Sequence, residues 1–424
     1  MIVNSEVLEN GLRVIVVNWP KSKLLNVGLF VRQGARNENE STNGVSHFLE
    51  HMLGNTQRAT RLGKSSVKTL LSVGGLVNAH TTKEYTSYEC SVLSEHFDLS
   101  LQVLYDLVFQ PNLSPEEVEL ERRVILAELA RKLSSANQLI EHFAQGVFSS
   151  TGYGNWILGS KETIEQVTSE SLQILYEETY VADNMSIVIV TDLESRDVIH
   201  RVAERFGDVL SGIPNPIEIP MLEAVGLKVL RQPGTPQLSF CLGGIGPSSR
   251  DESSLQYSVG ITSWGTIPNC RFFEEVRDRR GLVYSLQSFY HSYIQTGIWG
   301  VAGTVEKKNF AELMNVIGHH IHNARSHGLQ EDEISSGISM LKTAYLTEIQ
   351  QQKVFMNMIG KNAIFSNLIY PNDAFRQFAL ATLDVIKGLF YQYIQPTRLS
   401  IVVLGDVDSE AVLEYMTKIG DLNQ

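Results

Sequence analysis

The sequence predicts an α+β protein that uses one plan twice: two similar domains, each a mostly antiparallel sheet with helices packed on it. Two observations predict this. The first is long-range self-similarity. Ser186-Ile187-Val188-Ile189-Val190-Thr191-Asp192 returns as Ser400-Ile401-Val402-Val403-Leu404-Gly405-Asp406, Leu12-Arg13-Val14-Ile15 as Leu227-Lys228-Val229-Leu230, and Gly75-Leu76-Val77-Asn78 as Gly281-Leu282-Val283-Tyr284. The offsets of 214, 215 and 206 residues are similar, which marks a duplicated domain rather than a short-period array. The second is the alternation of short β-branched runs with segments of helical period. Pro214, Pro216 and Pro220 interrupt both patterns, so the domains are expected at 1–212 and 226–424, joined by a linker at 213–225.

The elements follow in order. Asn10-Gly11 is a hairpin signal ahead of a strand at 14–17. Residues 25–31 read as a second strand and 78–88 as a third, the latter a candidate exposed edge. Helices are expected over 43–53, 65–72, 94–108 and 115–133. The last opens with Ser114 as N-cap, Pro115 at the first helical position and Glu117 completing a capping box.

Inside the first helix lies His47-Phe48-Leu49-Glu50-His51. On a helix, His47 and His51 are one turn apart and share a face, as two imidazole ligands of one metal ion require. Glu50 stands close enough to hold a water without being a ligand, and the three groups together describe a hydrolytic zinc site. Such a pentapeptide also occurs by chance on ordinary helices, so a second segment matters. Projected at 100° per residue, Glu121 and Glu128 share a stripe with Val118 and Ile125. Carboxylates on an apolar stripe need a positive partner, and a zinc ion held by two His is one.

These segments resemble the pitrilysin/insulinase family of zinc peptidases, whose motif inverts the commoner H-E-x-x-H. Gly34-Ala35-Arg36-Asn37-Glu38 is similar to that family's G-[SA]-R-x-E segment, and Gly44 to Leu53 to its motif helix. Asn78-Ala79-His80-Thr81 is similar to its N-A-x-T strand, Glu121 to Glu128 to its E-x6-E helix, and Arg277 to Tyr284 to its R-x6-Y element. One departure is visible: His51-Met52-Leu53-Gly54-Asn55-Thr56 stands where the family often reads H-M-x-F-K-G-T. The chain resembles the small bacterial-type members and the mitochondrial processing peptidase subunits. The resemblance implies Zn2+ on His47, His51 and Glu128, Glu50 as general base, and Glu121 orienting a ligand. It implies that Asn78 and Ala79 bind substrate on an edge strand, and that Arg277 and Tyr284 reach the substrate from the second domain. It further implies a half-clamshell that pairs with another chain, as a homodimer or as a heterodimer with a related chain. The second domain lacks the metal motif, since 253–264 holds no His. His319-His320-Ile321-His322 points in several directions on a helix and is expected to be a surface or satisfied cluster.

Composition narrows the function classes. The 424 residues, 43% of them hydrophobic, suffice for two cores. A net charge of −12 without a Lys/Arg-rich block argues against nucleic acid as a partner. Cys90, Cys241 and Cys270 are odd in number, lack C-x-x-C spacing and read as reduced thiols. Residues 1–10 carry no signal-peptide pattern, and no apolar run reaches about 18 residues, so a cytoplasmic protein without a membrane span is expected. The expected activity is that of a zinc-dependent endopeptidase hydrolysing peptides or small unfolded proteins. Two alternatives are a dedicated maturation peptidase for a ribosomally made modified peptide or bacteriocin, and a non-catalytic partner subunit of a heterodimeric peptidase.

Overall fold

The computed structural model describes residues 2–133, 138–148, 152–218, 225–267, 270–366 and 371–421. The chain forms two compact units. One comprises Met1–Ala130, Asn155–Ile219 and Thr347–Ile369, and the other Arg131–Gly154, Pro220–Leu346 and Tyr370–Gln424.

The first unit holds a six-stranded sheet of β1 (Ile2–Val7), β2 (Arg13–Asn18), β3 (Leu24–Val31), β4 (Leu76–Thr81), β5 (Thr86–Leu93) and β6 (Met185–Thr191). Its order is β1-β2-β6-β3-β5-β4. The second unit holds β7 (Leu227–Arg231), β8 (Gln237–Gly246), β9 (Val283–Ser292), β10 (Gly297–Glu306) and β11 (Ser400–Gly405), in the order β7-β11-β8-β10-β9. Without β1 the two sheets have one topology. In each, only one pairing is parallel, β2 with β6 and β7 with β11, and the rest are antiparallel. The three repeated segments of the sequence fall on equivalent strands: β6 and β11, β2 and β7, and the starts of β4 and β9.

The expected third strand at 78–88 is two strands. Thr82 donates its backbone N–H to the Tyr85 carbonyl at 2.8 Å, while its hydroxyl accepts from the backbone N–H groups of Glu84 and Tyr85. That side-chain cap turns the chain without the Gly or Pro that usually announces a turn. The edge position was read correctly, because β4 ends the sheet.

Helices were expected on one side of each sheet, and both sides are covered. On the front of the first sheet, helices Val45–Gly54, Phe97–Phe109, Pro115–Leu133 and Ser195–Phe206 send Phe48, Leu104, Ile125 and Val202 into one core with Val27, Leu29, Tyr88 and Cys90 of the sheet. On the back lies helix Gln352–Ala363, from the second half of the sequence: the Trp19 and Phe355 rings are 6.2 Å apart and Asn26 donates to the Gln352 side chain. The second sheet receives helix Gln138–Phe148 from the first half, with Phe143 and Val147 buried against Cys241, Ile298 and Val402. The units are therefore not the continuous spans 1–212 and 226–424. The physical reason is visible in β3 and β6. Both are buried on both faces, every residue of β6 and all but the first of β3, and such strands need a helix on each side.

Candidate metal centre

Helix Val45–Gly54 carries the H-x-x-E-H residues, and eight of its ten residues are buried. Its N-cap is Gly44, whose side chain can accept nothing. The Glu38 carboxylate takes over that role, accepting from the backbone N–H of Gly44 at 2.8 Å and of Ser46 at 2.7 Å. At the other end, a Cβ on Gly54 would stand 2.5 Å from the Ala79 Cβ. Glycine at the position where the sequence departs from the family pattern lets the helix end sit directly on edge strand β4.

The spacing argument holds in three dimensions. The His47 and His51 rings lie with centroids 4.6 Å apart. Glu128 Oε2 is 4.0 Å from His47 Nε2 and 3.4 Å from His51 Nε2. Tetrahedral zinc with nitrogen and oxygen ligands at about 2.0–2.2 Å sets neighbouring ligand atoms roughly 3.3 Å apart, so these three atoms fit the ion after a small contraction. Among the described residues, the one group of three or more His, Cys, Asp or Glu ligand atoms all within 4.8 Å of each other is His47, Glu50 and His51. Glu128 borders that group. One of its oxygens faces both imidazoles, whereas Glu50 Oε2 is 3.9 Å from His47 Nε2 and accepts from the Thr81 hydroxyl at 3.4 Å.

Glu121, 4% exposed, lies 2.9 Å from His51 Nδ1. With Nδ1–H donated to that carboxylate, loss of the other ring proton leaves the lone pair on Nε2, on the side of Glu128. Burial raises the Glu50 carboxyl to about 7, against the pull of His51 and the Thr81 hydroxyl. Burial opposes charge on His51 as well, but hydrogen bonds to Glu121 and Glu128 prevail and raise it to about 10. Glu121→Gln should weaken zinc binding roughly 10- to 100-fold, measured by competition with a chromogenic chelator, because the amide no longer anchors the ring as an anion does. Unchanged affinity would remove Glu121 from the site.

What brings the acidic helix to the motif helix was not legible beforehand. Glu117 does not complete a capping box. Its carboxylate binds Arg58 at 3.0 Å and Arg61 at 2.5 Å. Arg58, 6% exposed, also donates to the carbonyls of Met52 and Asn112, so one guanidinium ties the end of the motif helix to the segment leading into Pro115–Leu133. Asn55 caps the short helix Thr56–Arg61 and donates to Glu121 at 3.4 Å. The only hint in the sequence was the run Asn55 to Arg61 directly after the motif.

The remaining candidates fall elsewhere. Asn78 and Ala79 stand on β4, Ala79 on the front with Thr81 and Asn78 on the back. In the second unit Arg277 is half exposed on a π-helical turn, Glu274–Arg279, with its guanidinium 5.2 Å from the Phe273 ring centre. Gly281, at φ +60°, ends that turn as expected and leads into β9. Tyr284 is the second residue of β9, and its side chain lies outside the described part of the structure. The His319–His322 cluster is satisfied at two members, His320 by Glu275 and His319 by the Asn315 carbonyl, both at 2.8 Å.

Residues 13–161 match the model of Insulinase (Peptidase family M16), and residues 166–341 that of the Peptidase M16 inactive domain. The chain belongs to the insulinase family of peptidases. Among insulinase-family relatives, an uncharacterized zinc protease of Streptomyces coelicolor is 26% identical, over 91% of this chain and 86% of its own. An uncharacterized zinc protease of Rickettsia bellii is 28% identical, over 87% of this chain and 90% of its own. The fold is shared with a protease from Helicobacter pylori, with a TM-score of 0.84 at 18% identity, covering 95% of this chain and 99% of that one. Zinc is the metal that the relatives' names and the His47–Glu50–His51 cluster agree on.

Proposed function

We propose that this chain is a zinc-dependent endopeptidase that hydrolyses peptides or small unfolded proteins. The observation that carries the reading is the division of labour among three buried or half-buried acids. Glu128 Oε2 faces both imidazoles, Glu121 holds the far side of one, and Glu50, 3.9 Å from His47 and held by the Thr81 hydroxyl, is the acid left for proton transfer. Zinc, when held by His47, His51 and Glu128, supplies a Lewis acid that polarises a carbonyl and lowers the pKa of water toward about 7. Glu50 takes the proton of the attacking water and returns it to the leaving amine. Thr81 steadies that carboxylate from the strand that binds substrate. An extended peptide pairs with the open edge of β4 beside Asn78 and Ala79, and satisfies its backbone groups whatever its sequence. Arg277 and Tyr284 contribute from the second domain, the Tyr hydroxyl to the oxyanion, in a homodimer or in a heterodimer with a related chain. The relatives named zinc proteases support the reading, and the three buried free cysteines fit a cytoplasmic setting. Among the described residues no helix is long and apolar enough to cross a membrane.

The test is cleavage mapping on a mixed peptide library. Internal cuts are expected, lost with a chelator and restored by zinc. Cleavage that persists in chelator, or trimming confined to peptide ends, would overturn the proposal.

A further inference from the structure

The back face of the first sheet changes character from its centre to its edge. Beneath helix Gln352–Ala363 it is apolar and close-packed: a Cβ on Gly28 would meet the Phe30 ring at 2.7 Å and the Met356 methyl at 3.0 Å. One strand further out it turns polar. Ser87, Glu89 and Ser91 of β5 share this face, and on β4 their register partners are His80, Asn78 and Leu76. The alternate residues Ala79 and Thr81 point to the front, toward Gly54 and Glu50.

Glu89 is the unexpected member. It is 1% exposed, yet it sits one strand in from an open edge. Its Oε2 pairs with Lys353 Nζ at 2.9 Å, and its Oε1 lies 3.3 Å from both His80 Nδ1 and the Ser87 hydroxyl. An ion pair with a buried carboxylate and a half-exposed ammonium contributes little net stability, so core formation does not account for this one. Its effect is to hold an ammonium and an imidazole ring in place beside the edge. The Lys353 side chain is 44% exposed and the His80 side chain 34% exposed, the latter braced by the edge of the Tyr85 ring at 5.8 Å. The carboxylate is out of reach, and what a ligand meets is an ammonium and an imidazole.

We propose that His80 and Lys353, set by Glu89, form a subsite for an acidic side chain, Asp or Glu, of an extended peptide paired with β4. The proposal rests on the peptidase reading for its occupant. An acidic side chain gains a charge-assisted bond from Lys353 beside the His80 ring, whereas Lys or Arg meets a like charge above a carboxylate already engaged. Side chains of a paired strand alternate in direction. The preference therefore falls on every second residue of the peptide, the ones that share the back face with Asn78 and His80.

The experiment measures binding rather than turnover. Zinc-loaded Glu50→Gln protein is titrated into fluorescent peptides of about ten residues, neutral except for one Glu, Gln or Lys moved along the chain. Glu should bind roughly five- to tenfold tighter than Lys at alternate positions, the size of a partly exposed charge contact. Lys353→Glu should reverse that order. Lys353→Gln, a milder change should the reversal destabilise the helix contact, should bring the ratio near one. A flat scan, a preference on adjacent positions, or one that survives both Lys353 variants overturns the subsite, and so does a failure of every peptide to bind. A periodic preference together with no cleavage of any peptide by the wild-type chain would instead retain the subsite and sink the endopeptidase.

Discussion

Glu50→Gln should keep its zinc and its fold and lose peptide turnover by roughly 10²- to 10⁴-fold, the usual contribution of a positioned general base. The amide is nearly isosteric and still accepts from Thr81. It cannot take a proton. The loss should appear in kcat at unchanged zinc content, with KM little altered, because the interaction removed belongs to the transition state. Burial raises this carboxyl to about 7, so near neutral pH its ionisation favours the unfolded chain, and the neutral amide should keep or raise the Tm of the metal-free protein. Metal analysis, circular dichroism and single-turnover kinetics check the three parts. Near wild-type turnover in a zinc-replete mutant would remove Glu50 from the chemistry.

His47→Ala and Glu128→Gln should each largely abolish zinc binding, since each deletes one of three protein ligands. The consequence is readable without any substrate. Free zinc at a hundredfold over its Kd stabilises the wild-type fold by about 2.7 kcal/mol through mass action, and neither mutant should show the matching rise in Tm. The same titration carries a pH signature. His51 is raised to about 10 by Glu121 and Glu128, so in the metal-free protein it is protonated through the neutral range, and zinc must displace that proton. Affinity should therefore fall about tenfold for each pH unit as pH decreases through neutrality. Tight stoichiometric zinc in both mutants, or a pH-independent affinity, would sink the ligand assignment.

Much of the centre was legible because it is local. One turn of helix places His47 over His51, and two turns place Glu121 in line with Glu128. Both relations follow from the 3.6-residue period alone. The duplication was legible for a similar reason, since matched β-branched runs mark equivalent strands wherever they sit. The hairpin at 82–85 escaped because a threonine hydroxyl replaces the Gly or Pro that signals a turn. The exchanged helices escaped because an amphipathic pattern reports an apolar face without naming its partner. The uninterrupted apolar runs of β3 and β6 did hold a clue that both faces of the sheet need cover.

The sequence by itself determined which side chains share a helix face, which strands repeat and which acids lie on an apolar stripe. Tertiary structure alone decided how those faces meet. Arg58 joins the end of the motif helix to the approach to the acidic helix, Glu117 binds Arg58 and Arg61 instead of capping its own helix, and Glu89 gathers Lys353 and His80 from segments distant in sequence. The physical reason is range. Backbone periodicity is set within a few residues, whereas the partner of a buried charge is chosen by whatever packing brings within hydrogen-bond reach, and no spacing in the chain encodes that distance.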